Sequence, residues 1–598
     1  MNPSAFLHDA LVVVGGASLD ILHFKGQTAR SAGGAGLYTS LAAQRAGVAA
    51  TMIAPHPVPM PDELLTASRQ INWVGPQVTP ADLPTFEIAH YGGGRTGMLN
   101  YWWRSEQALT PQHIPANLPA GLVYVIPLAE PLRQIEFLQH FKAQGRVTGC
   151  GTYFHAVRDF SDLVRQAMGL SDIFFCNEAE AIGLFGAVEK AQTTPGKLLF
   201  VTLGPRGAMV AQGDYQTYVP GLAVEELDPT GAGDTFCGTA LALLAQGFHP
   251  VRAAQQAVFA AGQMITEVGP AALLHPLPPA PSDERVVVDS GQLEKFAALV
   301  RGVPEVTPLT FTGELLPAVG DPLALDYFFT ATLQQFCFWT AADGRYAAPM
   351  IAPANGAPLK GSDYLWSVYR RALAETPDAL RPNAHADLSE AQLAHLYRDD
   401  EGRNPLPLFA ERLALARSYG RDLAAQSLTP AEIVRRANES DRPLATFLAL
   451  LDYVGGYKED PLRKKSALLA IILQQRPERF LREVNAELMP PVVDYHIQRS
   501  CLRTGLVLIV DPGLRRRIAG RELLEEADEW AVREATYRAM NDLQAVSGCS
   551  MTALDKFFFE NRRRCPEMSE PDCPRCPVDS VCAHHKQLFQ PVRATTFY

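Results

Sequence analysis

Residues 228–238 read DPTGAGDTFCG, and the stretch that begins inside them, DTFCGTALALLAQGF (234–248), has the apolar pattern of a buried helix. The Gly-rich turn therefore opens onto a helix start near Thr235. The first N–H groups of a helix have no partner within it and point outward, which makes an anion site. Glycines let the backbone come close to an anion, because no Cβ stands in the way. Gly231, Ala232 and Gly233 are thus expected to hold the negative charge that develops on a transferring phosphoryl group. Asp234 follows at once, placed to take a proton from an attacking hydroxyl.

Working outward, short apolar runs alternate with helical patterns from about residue 10 to 275. ALVVVGG (10–16), GLVYVIPL (121–128), SDIFFCN (171–177) and KLLFVTLG (197–204) read as buried strands, and LYTSLAAQRAG (37–47) as a helix. Such alternation predicts an α/β fold with a largely parallel central sheet flanked by helices. The Pro-rich HPLPPAPSDE (275–284) reads as the start of a linker. Beyond it the runs are long and amphipathic, and a mainly helical second half is expected.

At 598 residues the chain is too long for one hydrophobic core. Its net charge of −11 disfavours generic nucleic-acid binding, which draws on counterion release by a basic surface. The start, MNPSAFLHDALVVVGG, reads as a first strand rather than a signal peptide, and no apolar run has the length of a membrane span. The cytoplasm is the expected compartment, where ten cysteines serve as thiols or metal ligands rather than disulfides.

The GAGD segment closely resembles the signature of the ribokinase-like, or phosphofructokinase-B, family of carbohydrate kinases. Other pieces occur in that family's order. GGASLD (15–20) resembles its first strand and turn, which implies that Asp20 binds an acceptor hydroxyl. SAGGAGLY (31–38) resembles the di-glycine substrate segment, with Gly33 and Gly34. NEAE (177–180) fits its N-x-x-E element and implies a Mg²⁺ and phosphate role for Asn177 and Glu180. VTLGPRG (201–207), with Gly204 and Gly207, fits the turn beside ATP. The lid-like YGGGRTGMLNYWW (91–103) is rich in aromatics, and Trp102 and Trp103 either cover a flat base or are simply packed.

Four cysteines close the chain with the spacing C-x₇-C-x₂-C-x₅-C: Cys565, Cys573, Cys576 and Cys582. Such a compact set suits a [4Fe–4S] cluster or a tetrahedral Zn²⁺, and the residues alone leave both open. The spacing resembles the cluster loop of endonuclease III-type DNA glycosylases, which favours the cluster. His584 and His585 read as solvent-facing.

The helical half carries YFFTATLQQFCFW (327–339), KGSDYLWSVYRRAL (360–373), PLPLFAERL (405–413), KKSALLA (464–470), VVDYHIQRSCLRTG (492–505), EWAVREAT (529–536) and ALDKFFFE (553–560). Together, over about residues 315–562, they resemble the queuosine salvage family, the queuosine 5′-phosphate N-glycosylases, whose shape is similar to helical DNA glycosylases. Two departures stand out: His496 replaces an arginine, and Ser466 follows the lysine where that family has arginine. Cleaving an N-glycosidic bond builds positive charge at C1′, which a nearby carboxylate stabilises. Asp494, an aspartate in an apolar stretch, is the candidate or else a helix cap, and Asp555 has the same character and is expected to hold the base or ribose. Lys465 is expected to bind the 5′-phosphate or the leaving base, and Phe338 and Trp339 to stack on a heterocycle. Arg370, Arg371 and Arg533 read as surface charges.

The expected organisation is a ribokinase-like kinase domain (1–279), a linker (280–310), a DNA-glycosylase-like helical domain (311–564) and a cluster-binding tail (565–598). The expected function is salvage of a small modified nucleoside, queuosine foremost: 5′-phosphorylation by ATP–Mg²⁺, then hydrolysis to queuine and ribose 5-phosphate. The alternatives are the same two reactions on another nucleoside, or a sugar kinase joined to an Fe–S nucleic-acid repair or binding module.

Overall fold

In the computed structural model the described residues are 7–24, 26–92 and 95–598. The chain forms two compact units, Met1–Ala280 and Pro281–Tyr598.

The first unit is built on a nine-stranded sheet. Its spatial order runs Tyr215–Pro220, Gly207–Gln212, Leu198–Thr202, Ile173–Asn177, Thr148–Gly151, Leu122–Val125, Ala10–Val14, Ala49–Ile53, Asn72–Val74. All neighbours are parallel except the two junctions made by the hairpin Gly207–Pro220. Strands covered on both faces read as unbroken apolar runs. That is why ALVVV, LVYV, IFFCN and LLFVT could be picked out, and each is buried almost throughout. Helices Ala35–Arg45 and Ala232–Ala245 form as the sequence patterns predict and pack backbone to backbone, since a Cβ on Gly238 would lie 2.2 Å from the Thr39 carbonyl oxygen. A separate four-stranded sheet, ordered Gln27–Gly33, Ser18–Phe24, Thr85–Gly92, Arg95–Trp102, carries the lid-like segment. Gly93 and Gly94 of that segment lie outside the described residues.

The second unit is mainly helical. Its strands are confined to small antiparallel pairs: Val286–Val288 with Val507–Ile509, and the hairpins Trp339–Pro349 and Ile351–Lys360. Within the stretch expected as a linker, Ser290–Val300 is a helix whose Leu293, Phe296, Ala297 and Val300 join the helical core. Helix Ala324–Leu333 (ALDYFFTATL) lies at the centre, with Tyr327, Phe328 and Phe329 wholly buried. Arg412 is equally buried. It stays hydrogen-bonded by donating to the carbonyls of Gln334 and Phe336, and its guanidinium lies 4.2 Å from the Phe336 ring centroid. Arg533, expected at the surface, is instead fully buried and paired to Asp460 at 2.7 Å. Its helix, Glu526–Ser547, turns that position into the core, which a single arginine among apolar residues does not reveal.

Candidate functional site

In the first unit, Gly231 is the N-cap of helix Ala232–Ala245 and adopts a left-handed backbone (φ +82°). A Cβ there would lie 2.5 Å from the ring of Tyr38, so the turn requires glycine. Gly233 has open space where a side chain would be. The N–H groups of Gly233 and Asp234 have no acceptor one turn back within the helix. Asp234 is half-buried, and loss of water lifts its pKa to about 6 against the opposing pull of its own backbone N–H.

Asp20 lies on the small sheet, buried, with its pKa raised to about 7 chiefly by desolvation. Its Oδ1 accepts a weak hydrogen bond from Phe86 N–H at 3.4 Å. Gly33 packs against this carboxylate, and Gly34 (φ +97°) lets the chain pass over the Gly16 carbonyl. Asn177 and Glu180 form a closed capping box at the start of Glu178–Phe185. Glu180 Oε2 accepts from Asn177 N–H at 2.8 Å, and Oε1 accepts from Asn177 Nδ2 at 2.6 Å. Burial raises Glu180 to about 7, and the nearby Asp234 adds to that rise. Gly207 (φ +101°) is required by the backbone of the neighbouring strand, whereas Gly204 (φ +58°) meets nothing within 4 Å.

Three residues were not singled out in the sequence. Asp228 is buried and accepts from Thr230 N–H and Gly269 N–H, at 2.9 and 2.8 Å. His90, on the small sheet, approaches Asp228 at 3.5 Å and Thr230 Oγ1 at 3.1 Å, tying that sheet to the DPTGAG turn. Glu106 is buried, accepts from Gly16 N–H, and is raised to about 7 by desolvation. Trp103 sits in an aromatic cluster with Phe86, Tyr101 and Tyr153, while Trp102 is exposed.

The second unit holds a cavity of about 370 Å³, the size of a small-ligand site. Asp494, Asp555 and Phe338 line it, together with Lys464, Trp366, His496, Lys556 and Phe559. Asp494 caps helix Tyr495–Thr504, its Oδ1 accepting from His496 and Ile497 N–H at 2.8 and 3.0 Å. Asp555 stands on helix Met551–Asn561. Burial, then the charge of Asp494, raises it to about 7, and Lys464 opposes the rise. Lys464 donates to the Gln335 carbonyl at 3.1 Å. Burial holds its ammonium below the usual lysine range against the attraction of Asp494 and Asp555. His496 stays neutral for want of water and because Arg499 and Arg562 repel a second cation.

Lys465 and Trp339 are not among the cavity-lining residues. Lys465 donates to the Leu333 carbonyl and lies 5.2 Å from the Phe336 ring centroid. Successive helical residues diverge by about 100°, so the lysine that faces the cavity is its neighbour, Lys464. Trp339 stacks on Tyr346 at 5.5 Å. Cys565, Cys573, Cys576 and Cys582 converge on a second, small cavity of about 40 Å³.

A glycine-bounded helix start with an adjoining carboxylate at one end of a doubly wound sheet, and a small sheet carrying a buried acid, define a ribokinase-like kinase fold. The chain belongs to the pfkB family of carbohydrate kinases, whose model matches residues 11–276. The cytidine kinase of Thermococcus kodakarensis is 30% identical over 251 residues, 40% of this chain and 89% of that protein. Mouse ribokinase is 36% identical over 106 residues, 16% of this chain and 33% of that protein. The adenosine kinase of Sinorhizobium meliloti aligns in structure at 18% identity, covering 44% of this chain and 95% of that one with a TM-score of 0.39. In the second unit, residues 315–459 match the model described as Queuosine salvage protein, which ends before Lys464, Asp494 and Asp555. Among the described residues, no helix is long and apolar enough to cross a membrane.

Proposed function

We propose that the chain is a bifunctional nucleoside salvage enzyme. Its first unit phosphorylates the 5′-hydroxyl of a modified nucleoside, queuosine foremost. Its second unit then hydrolyses the nucleotide to free base and ribose 5-phosphate. The observation that carries this reading is that each unit has its own buried-carboxylate site, one on a kinase fold and one in the helical unit whose residues 315–459 match the queuosine salvage model. The cytidine kinase relative supports a nucleoside as acceptor.

In the first step Asp234 takes the proton of the acceptor 5′-hydroxyl as its oxygen attacks the γ-phosphorus of ATP, and ADP leaves. The N–H groups at Gly233 and Asp234 receive the charge on the transferring group. Asp20, backed by Gly33, holds a ribose hydroxyl. Asn177 and Glu180 offer the oxygen donors that suit Mg²⁺, which when bound neutralises phosphate charge.

In the second step the C1′–N bond breaks, its electron pair passing to the base. Asp555, protonated near neutral pH, delivers a proton to the leaving heterocycle. Asp494 stabilises the oxocarbenium-like ribose and accepts the proton of the water that adds to C1′. Phe338 supplies an aromatic wall for the base. Lys464 lies in the cavity with the two acids, which leaves Lys556 as the phosphate contact in place of Lys465. The phosphate gives binding energy remote from the breaking bond, and the covalent link between the units raises the local concentration of the intermediate.

The test is mass-spectrometric product analysis of the full chain with queuosine, with and without ATP–Mg²⁺. Queuine appearing only with ATP is the expected result. Queuosine left untouched in every reaction would remove the substrate assignment, and queuine released without ATP would remove the order of steps.

A further inference from the structure

The second unit's two cavities share two helices. Tyr495–Thr504 presents Tyr495 and His496 to the large cavity, and Ser500, Arg503 and Thr504 to the small one. Met551–Asn561 presents Asp555 and Phe559 to the large cavity, and Phe557, Phe558 and Asn561 to the small one. The four cysteines stand where those helices end. Cys565 N–H donates to the Asn561 carbonyl at 2.9 Å, continuing the second helix into the cysteine loop. The Cys582 segment closes on the first helix through Ala583 N–H to Thr504 O and His585 N–H to Arg503 O, at 3.1 and 3.0 Å.

Arg503 ties the cysteine set to the first helix. It is buried, at 6% exposure. Its guanidinium donates to the Leu588 and Pro566 carbonyls and, at 3.3 Å, to Cys565 Sγ. Carbonyls alone satisfy the buried guanidinium of Arg412 in this unit, and Arg503 differs in also reaching a sulfur of the cysteine set. Four thiolates around a metal centre carry surplus negative charge, and a donor to a ligating sulfur stabilises them.

We propose that Cys565, Cys573, Cys576 and Cys582 bind a [4Fe–4S] cluster that fastens the far ends of the helices carrying Asp494 and Asp555, with Arg503 as the positioning residue between cluster and cavity. This rests on the base-release reading for its functional half only. Thiolate-only ligation suits a cluster, and it also suits one tetrahedral Zn²⁺ with Zn–S of about 2.3 Å, which would draw all four sulfurs onto a single point; sulfide and zinc content separate the two. Cys573 also lies with Asp579 and His584 within 4.8 Å, a rival mixed-ligand set on the loop's exposed side.

The full chain, purified without oxygen, would be assayed for iron, acid-labile sulfide and zinc. About four irons and four sulfides per chain are expected. Stoichiometric zinc without sulfide, or no metal, would overturn the cluster. Cys576→Ser should lose the iron, and His584→Ala should keep it; iron lost with His584→Ala would assign the metal to the rival set. Arg503→Gln should keep the iron and the kinase rate while lowering kcat for base release at least tenfold with KM little changed. An unchanged kcat in that variant would overturn the positioning role. Kinase activity in the same samples reports on the first unit, urea unfolding of each variant reports on the second, and iron content does not depend on which nucleoside is the substrate.

Discussion

Asp20 and Gly33 face each other so closely that a Cβ on Gly33 would lie 1.8 Å from Asp20 Oδ2. The di-glycine segment therefore acts as the seat of a carboxylate. Gly33→Ala must push Asp20 aside. The expected outcome is at least a tenfold rise in KM for the nucleoside acceptor with KM for ATP unchanged, read from initial rates with either substrate varied. Equal changes in both constants would show that the seat serves the fold and not the acceptor.

The two half-reactions should respond to pH in opposite senses. Asp234 must be ionised to act as base, so the phosphorylation rate of the free enzyme should climb as pH rises through about 6. Asp555 must be protonated to act as acid, so base release from the nucleotide should decline as pH rises through about 7. Separate assays from pH 5 to 9 check both limbs. Two profiles of the same sense would contradict one assignment.

Asp234→Asn should lower the phosphorylation rate by about 10² to 10⁴ and leave hydrolysis of supplied nucleotide intact. Asp494→Asn should do the reverse, lowering hydrolysis by about 10² to 10³. Single-turnover assays of each step on each variant separate the sites. A variant that impaired both steps equally would point to a folding defect instead.

Lys464 and Lys465 should part company. Lys464→Met removes the cation that restrains Asp555, so the descending pH limb of base release should move upward. Lys465→Met should leave that limb in place, because Lys465 faces the Leu333 carbonyl and the Phe336 ring. A shifted limb in both variants would return Lys465 to the site.

Arg533 holds the wholly buried Asp460 carboxyl below the usual range against the upward push of burial. Arg533→Leu strands that charge and should destabilise the second unit by about 3–5 kcal/mol. Urea unfolding checks this, and a loss below about 1 kcal/mol would show that water reaches Asp460.

Much of the first unit could be read in the residues themselves. Parallel strands covered on both faces are continuous apolar runs, and a phosphate-receiving turn leaves a local mark, because glycine and a helix start must be adjacent in the chain. Asp234 and Gly231 were legible for that reason, and Gly33 through the resemblance of its di-glycine segment. The four cysteines were legible as a set for the same reason, their spacing being short.

The second unit's cavity drew on distant segments, and there the tertiary structure decided. Asp494 and Asp555 act on each other across two helices some sixty residues apart in the chain, and nothing in either local sequence measures that approach. Lys464 rather than Lys465 faces them because helix rotation selects one of two adjacent lysines, and both look alike until the helix is packed. Arg533 read as a surface charge, and Asp228 and His90 escaped notice, because burial and partnership across long separations leave no periodic trace. The sequence alone determined the two classes of fold and offered candidate residues for the chemistry. Tertiary packing decided which of those residues share a cavity, since electrostatics and hydrogen bonding act over a few ångströms of space and not along the chain.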